Sequence, residues 1–345
     1  MMKIGIRVDA NEIVATGHVM RCLAIAEELR KIGQELLFIS ADDFQRPLIE
    51  QKGFEFVSLQ TDWKHMEKET ERLQAVIDRY HIGLLLVDSY YVTRAYFEKI
   101  HSFTKIMYID DLGKEVYDVD CAMCYADYYR ELELEERYPS NVKLLLGTRY
   151  APLRREFSNL PQKIISPEIK EVLVLSGGAD PYDFLWNFSQ KLTESALFET
   201  LETVRIICGR YYDKYGELTE KFAGIPKLRF HKAVKDMEKY MLSADAAVTA
   251  AGVTTYELCA AGVPAVTYTI ADNQQGNARV FQKEGIMEYA GDLRREPVIE
   301  RITGLLDGKY RDFSYRSRVS EAMRQKIDGK GTERIARSIC RILRG

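Results

Sequence analysis

The sequence predicts an α/β protein made of two domains in tandem, each with a parallel sheet covered on both faces. Three observations carry this reading. Short apolar runs alternate with stretches of helical period along the chain. The alternation breaks once, over residues 153–168, "LRREFSNLPQKIISPE", a polar stretch with two prolines that reads as a linker, and then restarts. The length, 345 residues, is more than one comfortable core and suits two.

The elements follow in order. "KIGIRVD" (3–9) reads as a buried strand. From Gly17 the pattern turns helical, with Val19, Cys22, Leu23, Ala26 and Leu29 at spacings of three and four, and Gly33 is placed to end the helix. "ELLFIS" (35–40), "GLLLVDSY" (83–90) and "TKIMYIDDL" (104–112) are further strands, with charged helical stretches at 64–79 and 93–101. After the linker, "EVLVLSGGAD" (171–180) is a strand running into a glycine pair. "TVRIICG" (203–209), "ADAAVTAAG" (244–252) and "VPAVTY" (263–268) follow, with helical segments between them. The tail "GTERIARSICRIL" (331–343) is amphipathic, with Ile335, Ile339 and Leu343 spaced by four. Domains are expected over 1–155 and 168–325, with a C-terminal helix in 326–345. Two such domains enclose a cleft, and in open α/β sheets the ligand binds at the carboxyl ends of the strands.

Composition excludes several classes of function. The 49 basic and 52 acidic residues give a net charge of −3, so no basic excess points to nucleic acid or an anionic membrane. No apolar run approaches the ~20 residues that span a bilayer. The opening "MMKIGIRVDA" lacks the apolar core of a signal peptide, so a cytoplasmic protein is expected. Cys22, Cys208, Cys259 and Cys340 lie in apolar segments, where cysteine acts as a small hydrophobe. Cys121 and Cys124 form a lone C-x-x-C without a second pair or nearby histidines, which reads as two buried thiols rather than a metal site. No obligate protein partner is implied.

Candidate site residues cluster at strand ends. In "SGGAD", Gly177 and Gly178 either make a turn or let backbone N–H groups approach a phosphate, with Asp180 two residues on. In "TAAGVTTYELCAAGVPAVTY" (249–268) a strand ends at Gly252 and a helix starts near Thr254 or Thr255, whose hydroxyls can cap it. A helix N-terminus suits a diphosphate, and Glu257, one turn in, can accept two hydrogen bonds from ribose hydroxyls. An acidic residue is favoured in a first helical turn in any case. "ADNQQGNA" follows the next strand, so Asn273 and Gln274 lie on a second polar loop at the same sheet edge.

"GVTTYELCAAGVPAV" with this loop is similar to the donor-nucleotide half of the GT-B glycosyltransferases, especially the peptidoglycan N-acetylglucosaminyltransferase. In that family the glutamate binds the ribose of UDP. The blocks "RVDANEIVATGHVMRCLAIAEEL", "LLVDSYY", "IDDL", "LGTRYAPLRREF" with Arg154, "LSGGADP" and "ADNQ" together resemble a narrower family. It is the UDP-sugar hydrolases of pseudaminic acid biosynthesis, which act on UDP-2,4-diacetamido-2,4,6-trideoxy-β-L-altropyranose. The ordered blocks run from Arg7 to Asn277. The resemblance implies two Rossmann-like domains facing a cleft, a UDP-sugar substrate and no cofactor. It implies attack by water at the anomeric carbon with inversion. His18 then takes the place of the family's proposed general base, although Ala15 stands where the family block usually has its first glycine.

The chemistry of His18 agrees with that role. Histidine accepts a proton near neutral pH without help, and a helix N-terminus disfavours the imidazolium. Gly17 beside it leaves space for a sugar. Asp9 either contacts substrate, orients His18 or simply ends a strand. Arg21, one turn beyond His18, contacts the diphosphate or forms a salt bridge. Asp88 and Tyr90 either bind acetamido groups or cap a turn. Asp110 and Asp111 are a carboxylate pair, but glycosyl transfer in this fold class generally needs no metal, and none is expected. Two other functions fit the same motifs. One is a glycosyltransferase that passes the sugar to an acceptor. The other is a nucleotide-sugar-binding protein without turnover.

Overall fold

The structure, a computed structural model, describes residues 2–9 and 17–344. Ala15 and Thr16, which precede Gly17 and His18 in sequence, lie outside the described residues. The chain forms two compact units, one of residues 1–155 with 330–345 and one of residues 156–329.

In the first unit the described strands are β1 (Lys3–Val8), β2 (Leu36–Ser40), β3 (Glu55–Ser58), β4 (Ile82–Asp88), β5 (Lys105–Ile109), β6 (Cys121–Cys124) and β7 (Lys143–Leu146). They form one parallel sheet in the order β3-β2-β1-β4-β5-β6-β7. The central strands are apolar along their whole length because helices cover both faces. In β4 every residue but Gly83 is buried. Arg7 in β1 breaks this rule and is fully buried. A buried charge is tolerable only when paired. Arg7 donates through Nε and Nη2 to Glu69 at 2.7 and 2.8 Å, and through Nη1 to Asp9 at 2.6 Å.

The second unit repeats the plan. Its strands β8 (Glu171–Leu175), β9 (Thr203–Cys208), β10 (Leu228–Lys232), β11 (Ala246–Ala250), β12 (Ala265–Thr269) and β13 (Glu288–Asp292) form a parallel sheet in the order β10-β9-β8-β11-β12-β13. In both sheets the chain begins in the middle, winds to one edge, then returns to the middle and winds the other way. The reversal falls between β1 and β4, and again between β8 and β11. A switch point of this kind opens a crevice at the carboxyl ends of the two strands. β3, β6, β7, β10 and β13 are absent from the sequence reading. β3, β6 and β7 are only four residues long, and β10 (LRFHK) and β13 (EYAGD) mix polar with apolar residues, so none shows as an apolar run.

The first helix spans Gly17–Lys31. It ends as its sequence implies: Gly33 has φ +82°, and the Gly33 and Gln34 N–H groups bond back to Arg30 and Leu29. The last helix, Gly331–Arg344, belongs to the first unit and packs against that first helix. Ile335 and Ile339 are buried there, and Leu343 is half-buried. Its start fits tightly, since a Cβ on Gly331 would lie 2.1 Å from the Ala151 carbonyl oxygen. The stretch read as a linker is docked along the second unit. Lys163 Nζ donates to the Leu242 and Ala244 carbonyls, both at 2.6 Å, and Arg324 donates to Pro161 O at 2.6 Å. Cys121 and Cys124 are buried thiols in β6, and burial pushes both up, Cys121 to about 12. Among the described residues no helix is long and apolar enough to cross a membrane.

Candidate active site

The first unit gathers its reactive groups at the β1/β4 switch point. Val8 lies opposite Asp88 in the strand register, so Asp9 and Asp88 leave the sheet side by side. His18 is the second residue of the first helix, and its ring reaches back to that edge. His18 Nδ1 lies 2.5 Å from Asp88 Oδ1. Burial alone would raise the Asp88 carboxyl, but the charge of Arg21 and the hydrogen bonds from Arg21 and His18 outweigh it and hold Asp88 well below the usual carboxylate range. The ionised carboxylate accepts, so Nδ1 carries the proton and Nε2 is the acceptor. Nε2 has no hydrogen-bond partner among the described residues.

Arg21 shares the helix face with His18, as its spacing implies, and of the two roles left open for it, diphosphate contact or a salt bridge, the structure shows the salt bridge. Its guanidinium is buried and committed to internal partners. Nε and Nη2 donate to the two oxygens of Asp88, each at 2.6 Å, and Nη1 donates to Asp111 Oδ2 at 2.6 Å and Tyr125 Oη at 2.7 Å. The planar fork of arginine matches carboxylates bidentately, and here it is fully engaged between two of them. Tyr90 closes the cluster. Its ring meets the His18 imidazole edge-on at 4.6 Å, and its hydroxyl donates to Asp111 at 3.2 Å. Asp9 is not the residue that orients His18. Its oxygens accept from Arg7 and, at 2.8 Å, from the Ala41 N–H. Asp110 serves its own loop, accepting from the Gly113 N–H at 2.8 Å and Tyr138 Oη at 3.1 Å. Among the described residues no three or more His, Cys, Asp or Glu side chains are grouped to hold a metal ion. Arg154 is half-buried, just past Leu153, whose carbonyl accepts from Thr332.

The second unit brings three loops together around the β8/β11 switch point. After β8, Ser176 is buried and its hydroxyl has no partner among the described residues. Gly177, at φ +87°, and Gly178 then turn the chain. The turn sits so close to the loop after β9 that a Cβ on Gly209 would fall 2.2 Å from both the Gly177 and Gly178 carbonyl oxygens. Asp180 was expected to face a ligand. Its two oxygens instead accept from the Phe184 and Leu185 N–H groups, at 3.0 and 2.8 Å, capping the helix Phe184–Thr193. Burial nevertheless raises its carboxyl to about 6.

After β11 the helix Thr254–Ala261 begins without a side-chain cap. This corrects the expected capping by Thr254 or Thr255. The Thr255 hydroxyl donates to the Gly252 carbonyl at 2.7 Å and accepts from Asn277 at 2.9 Å, while Thr254 is half-buried. The Thr255 and Tyr256 N–H groups bond to the Gly252 and Val253 carbonyls at 3.1 and 3.0 Å, and the N-cap, Val253, adds no side-chain hydrogen bond, so the positive end of the helix dipole carries no capping side chain from that position. Glu257 is buried one turn in, and the helix ends at Gly262, φ +69°. The loop after β12 lies alongside: a Cβ on Gly252 would sit 4.0 Å from Gln274 Nε2. Gln274 Oε1 accepts from the Ile270 N–H at 2.9 Å, and Asn273 is exposed.

Several members of these clusters escaped sequence reasoning. Asp111 was weighed only as a metal ligand, and Tyr125, Glu69 and Gly209 were not singled out. The one available signal was the acidic strand end "IDDL", at the same sheet edge as "LLVDSYY".

Comparison with known proteins fits this geometry. Residues 172–327 match the glycosyltransferase family 28 C-terminal domain. The spore coat polysaccharide biosynthesis protein SpsG of Bacillus subtilis is 21% identical over 340 residues, 97% of this chain and 96% of that protein. The uncharacterized protein MJ1062 of Methanocaldococcus jannaschii is 24% identical over 278 residues, covering 77% of this chain. The UDP-N-acetylglucosamine–N-acetylmuramyl-(pentapeptide) pyrophosphoryl-undecaprenol N-acetylglucosamine transferase of Salinibacter ruber is 30% identical over 179 residues, half of this chain. The matches span about half the length of these last two relatives, 55% and 47%. The crystal structure of MurG from Acinetobacter baumannii superposes with a TM-score of 0.67 at 14% identity, over 98% of this chain and 99% of that one. The chain therefore has the GT-B fold, and residues 172–327 of its second unit are similar to the glycosyltransferase family 28 C-terminal domain.

Proposed function

We propose that this protein is an enzyme that breaks the anomeric C–O bond of a UDP-sugar, with His18 as the general base. The observation that carries this reading is the His18–Asp88 pair at a sheet switch point, with Nδ1 committed at 2.5 Å and Nε2 left to accept. The attacking hydroxyl gives its proton to Nε2 as its oxygen bonds to the anomeric carbon. The bond to the diphosphate breaks on the opposite face, so configuration inverts. UDP leaves with the bonding pair, and the imidazolium returns its proton to solvent. The start of the helix Thr254–Ala261, whose N-cap Val253 supplies no side-chain cap, supports a diphosphate site, since the positive end of the helix dipole favours negative charge. Glu257 accepts from the ribose hydroxyls, and Gly177, Gly178, Gly252, Asn273 and Gln274 line the same edge of the second sheet.

The family 28 domain and the relative named as an N-acetylglucosamine transferase favour transfer to an acceptor hydroxyl. A second reading has water as the acceptor. It is supported by the ordered blocks from Arg7 to Asn277, which resemble the hydrolases that free a 2,4-diacetamido-2,4,6-trideoxy sugar for pseudaminic acid synthesis. One experiment separates them: incubation with a panel of UDP-sugars, UDP-diacetamido sugars included, with and without acceptor sugars, and detection of UDP by mass spectrometry. Rapid release of UDP from a sugar without acceptor supports hydrolysis. Release that requires an acceptor supports transfer. Binding of UDP with no release from any donor would leave a binding protein and defeat the proposal.

A further inference from the structure

We infer that Arg21 and Asp111 together set how readily His18 takes up a proton, an inference that rests on reading His18 as the base. The argument starts from a conflict. Asp88 orients the imidazole, but a buried carboxylate 2.5 Å away also stabilises the imidazolium, and a base that already holds its proton accepts none. Something must cancel the charge of Asp88 without breaking its hydrogen bond to Nδ1.

Arg21 is built to do so. It binds both oxygens of Asp88, and its Nη2 lies 3.0 Å from His18 Nδ1. Guanidinium only donates, so this last approach is charge against ring rather than a hydrogen bond. It favours the neutral imidazole. Arg21 is balanced in turn by Asp111 on its far side, at 2.6 Å. Among the described residues, the groups facing the pair from the surrounding elements are few. From the ends of β4, β5 and β6 come Asp88 with Tyr90, Asp111, and Tyr125. The first helix itself adds Cys22, whose thiol donates to Asp88 Oδ2 at 3.5 Å. Burial pushes Cys22 up and Tyr125 up, so both stay neutral near pH 7. Among the described residues, Asp9 at the neighbouring strand end is held by Arg7 and the Ala41 N–H, and the charges linked directly to His18 form a series of alternating sign: Asp88, Arg21, Asp111.

Arg21 and Asp111 are positioning residues in this scheme, because they act through Asp88 and the ring. Alternation of sign gives a signature that simple loss of packing lacks. Replacing Arg21→Gln leaves Asp88 unopposed and is expected to move protonation of His18 to higher pH. Replacing Asp111→Asn frees the full charge of Arg21 and moves it to lower pH, by less, because Asp111 stands one residue further away.

The test is an NMR titration of the His18 imidazole in the full-length, ligand-free protein, with His18→Asn assigning its signal among the five histidines. The pH profile of kcat/KM for UDP release is recorded alongside. Opposite displacements for Arg21→Gln and Asp111→Asn are expected, with the acidic limb of the rate profile following the imidazole. Equal displacements, or none, overturn the inference. Arg21→Gln leaves two carboxylates buried, and if it does not fold, Asp111→Asn decides alone: no downward displacement refutes the scheme. The imidazole titration needs no turnover. A protein that releases UDP from no sugar thus sinks the proposed function, while the electrostatic inference stands or falls on the titration.

Discussion

At the scale of single residues, His18 depends on a partner seventy positions away in sequence. The helix N-terminus alone disfavours the imidazolium, but it does not choose a tautomer. Asp88 does, by accepting from Nδ1 at 2.5 Å. General-base catalysis is typically worth ~10²–10⁴-fold, so His18→Asn is expected to lower kcat by about that factor. An asparagine keeps a donor for Asp88 and removes the acceptor that Nε2 supplies. A variant retaining more than about a tenth of wild-type kcat in a UDP-release assay would take His18 out of the reaction. Asp9 shows the opposite lesson. It stands at the same sheet edge, yet Arg7 and the Ala41 N–H hold its carboxylate.

At the scale of elements, some contacts tie a helix to the sheet through charge rather than packing. The helix Arg94–His101 ends at His101, whose Nδ1 lies 2.9 Å from Asp118 and whose Nε2 lies 3.0 Å from Asp120, just before β6. Burial opposes the charged ring, but the two carboxylates prevail and raise the His101 value. The folded state thus holds this proton more tightly than the unfolded chain, whose histidine titrates near ~6.5. Its contribution to stability is complete below that value and is lost as pH rises through the raised folded value. Thermal unfolding of wild type and His101→Gln is expected to differ most at about pH 6 and to converge in mildly alkaline buffer. A difference that grows with pH would refute the clamp.

The loops of the second unit show an element-scale constraint of another kind. Gly209 ends β9 against the carbonyls of Gly177 and Gly178, where any Cβ would collide with backbone. Backbone cannot rotate aside as a side chain can, so this glycine keeps the turn after β8 in place beside β11.

At the scale of the whole molecule, the two units carry separate duties in the proposed reaction, and substitution is expected to separate them. Glu257→Ala, in the second unit, removes hydrogen bonds to a charged group, worth roughly 1–3 kcal/mol of UDP affinity, or about ten- to a hundredfold. Calorimetry with UDP measures this directly. His18→Asn, in the first unit, is expected to leave the same affinity nearly unchanged. Unaltered UDP binding in Glu257→Ala would remove that residue from the nucleotide site.

Sequence by itself determined what is local. The apolar runs of β1, β8 and β11, the helix ends at Gly33 and Gly262, and the small residues at strand ends are all written in adjacent positions, because period, capping and φ preference act over a few residues. The two α/β halves and the polar loops after β8, β11 and β12 were legible for that reason. Tertiary structure alone decided which strand lies beside which, and so which loops meet. His18 is paired with Asp88 because β1 and β4 are neighbours at the reversal of strand order. Arg21 faces inward because Asp88 and Asp111, 67 and 90 residues away, both arrive at its guanidinium. The short strands stayed hidden, and the last helix returned to the first unit, for the same physical reason. Such pairings are fixed by burial shared between distant segments, and neither segment alone carries the pattern.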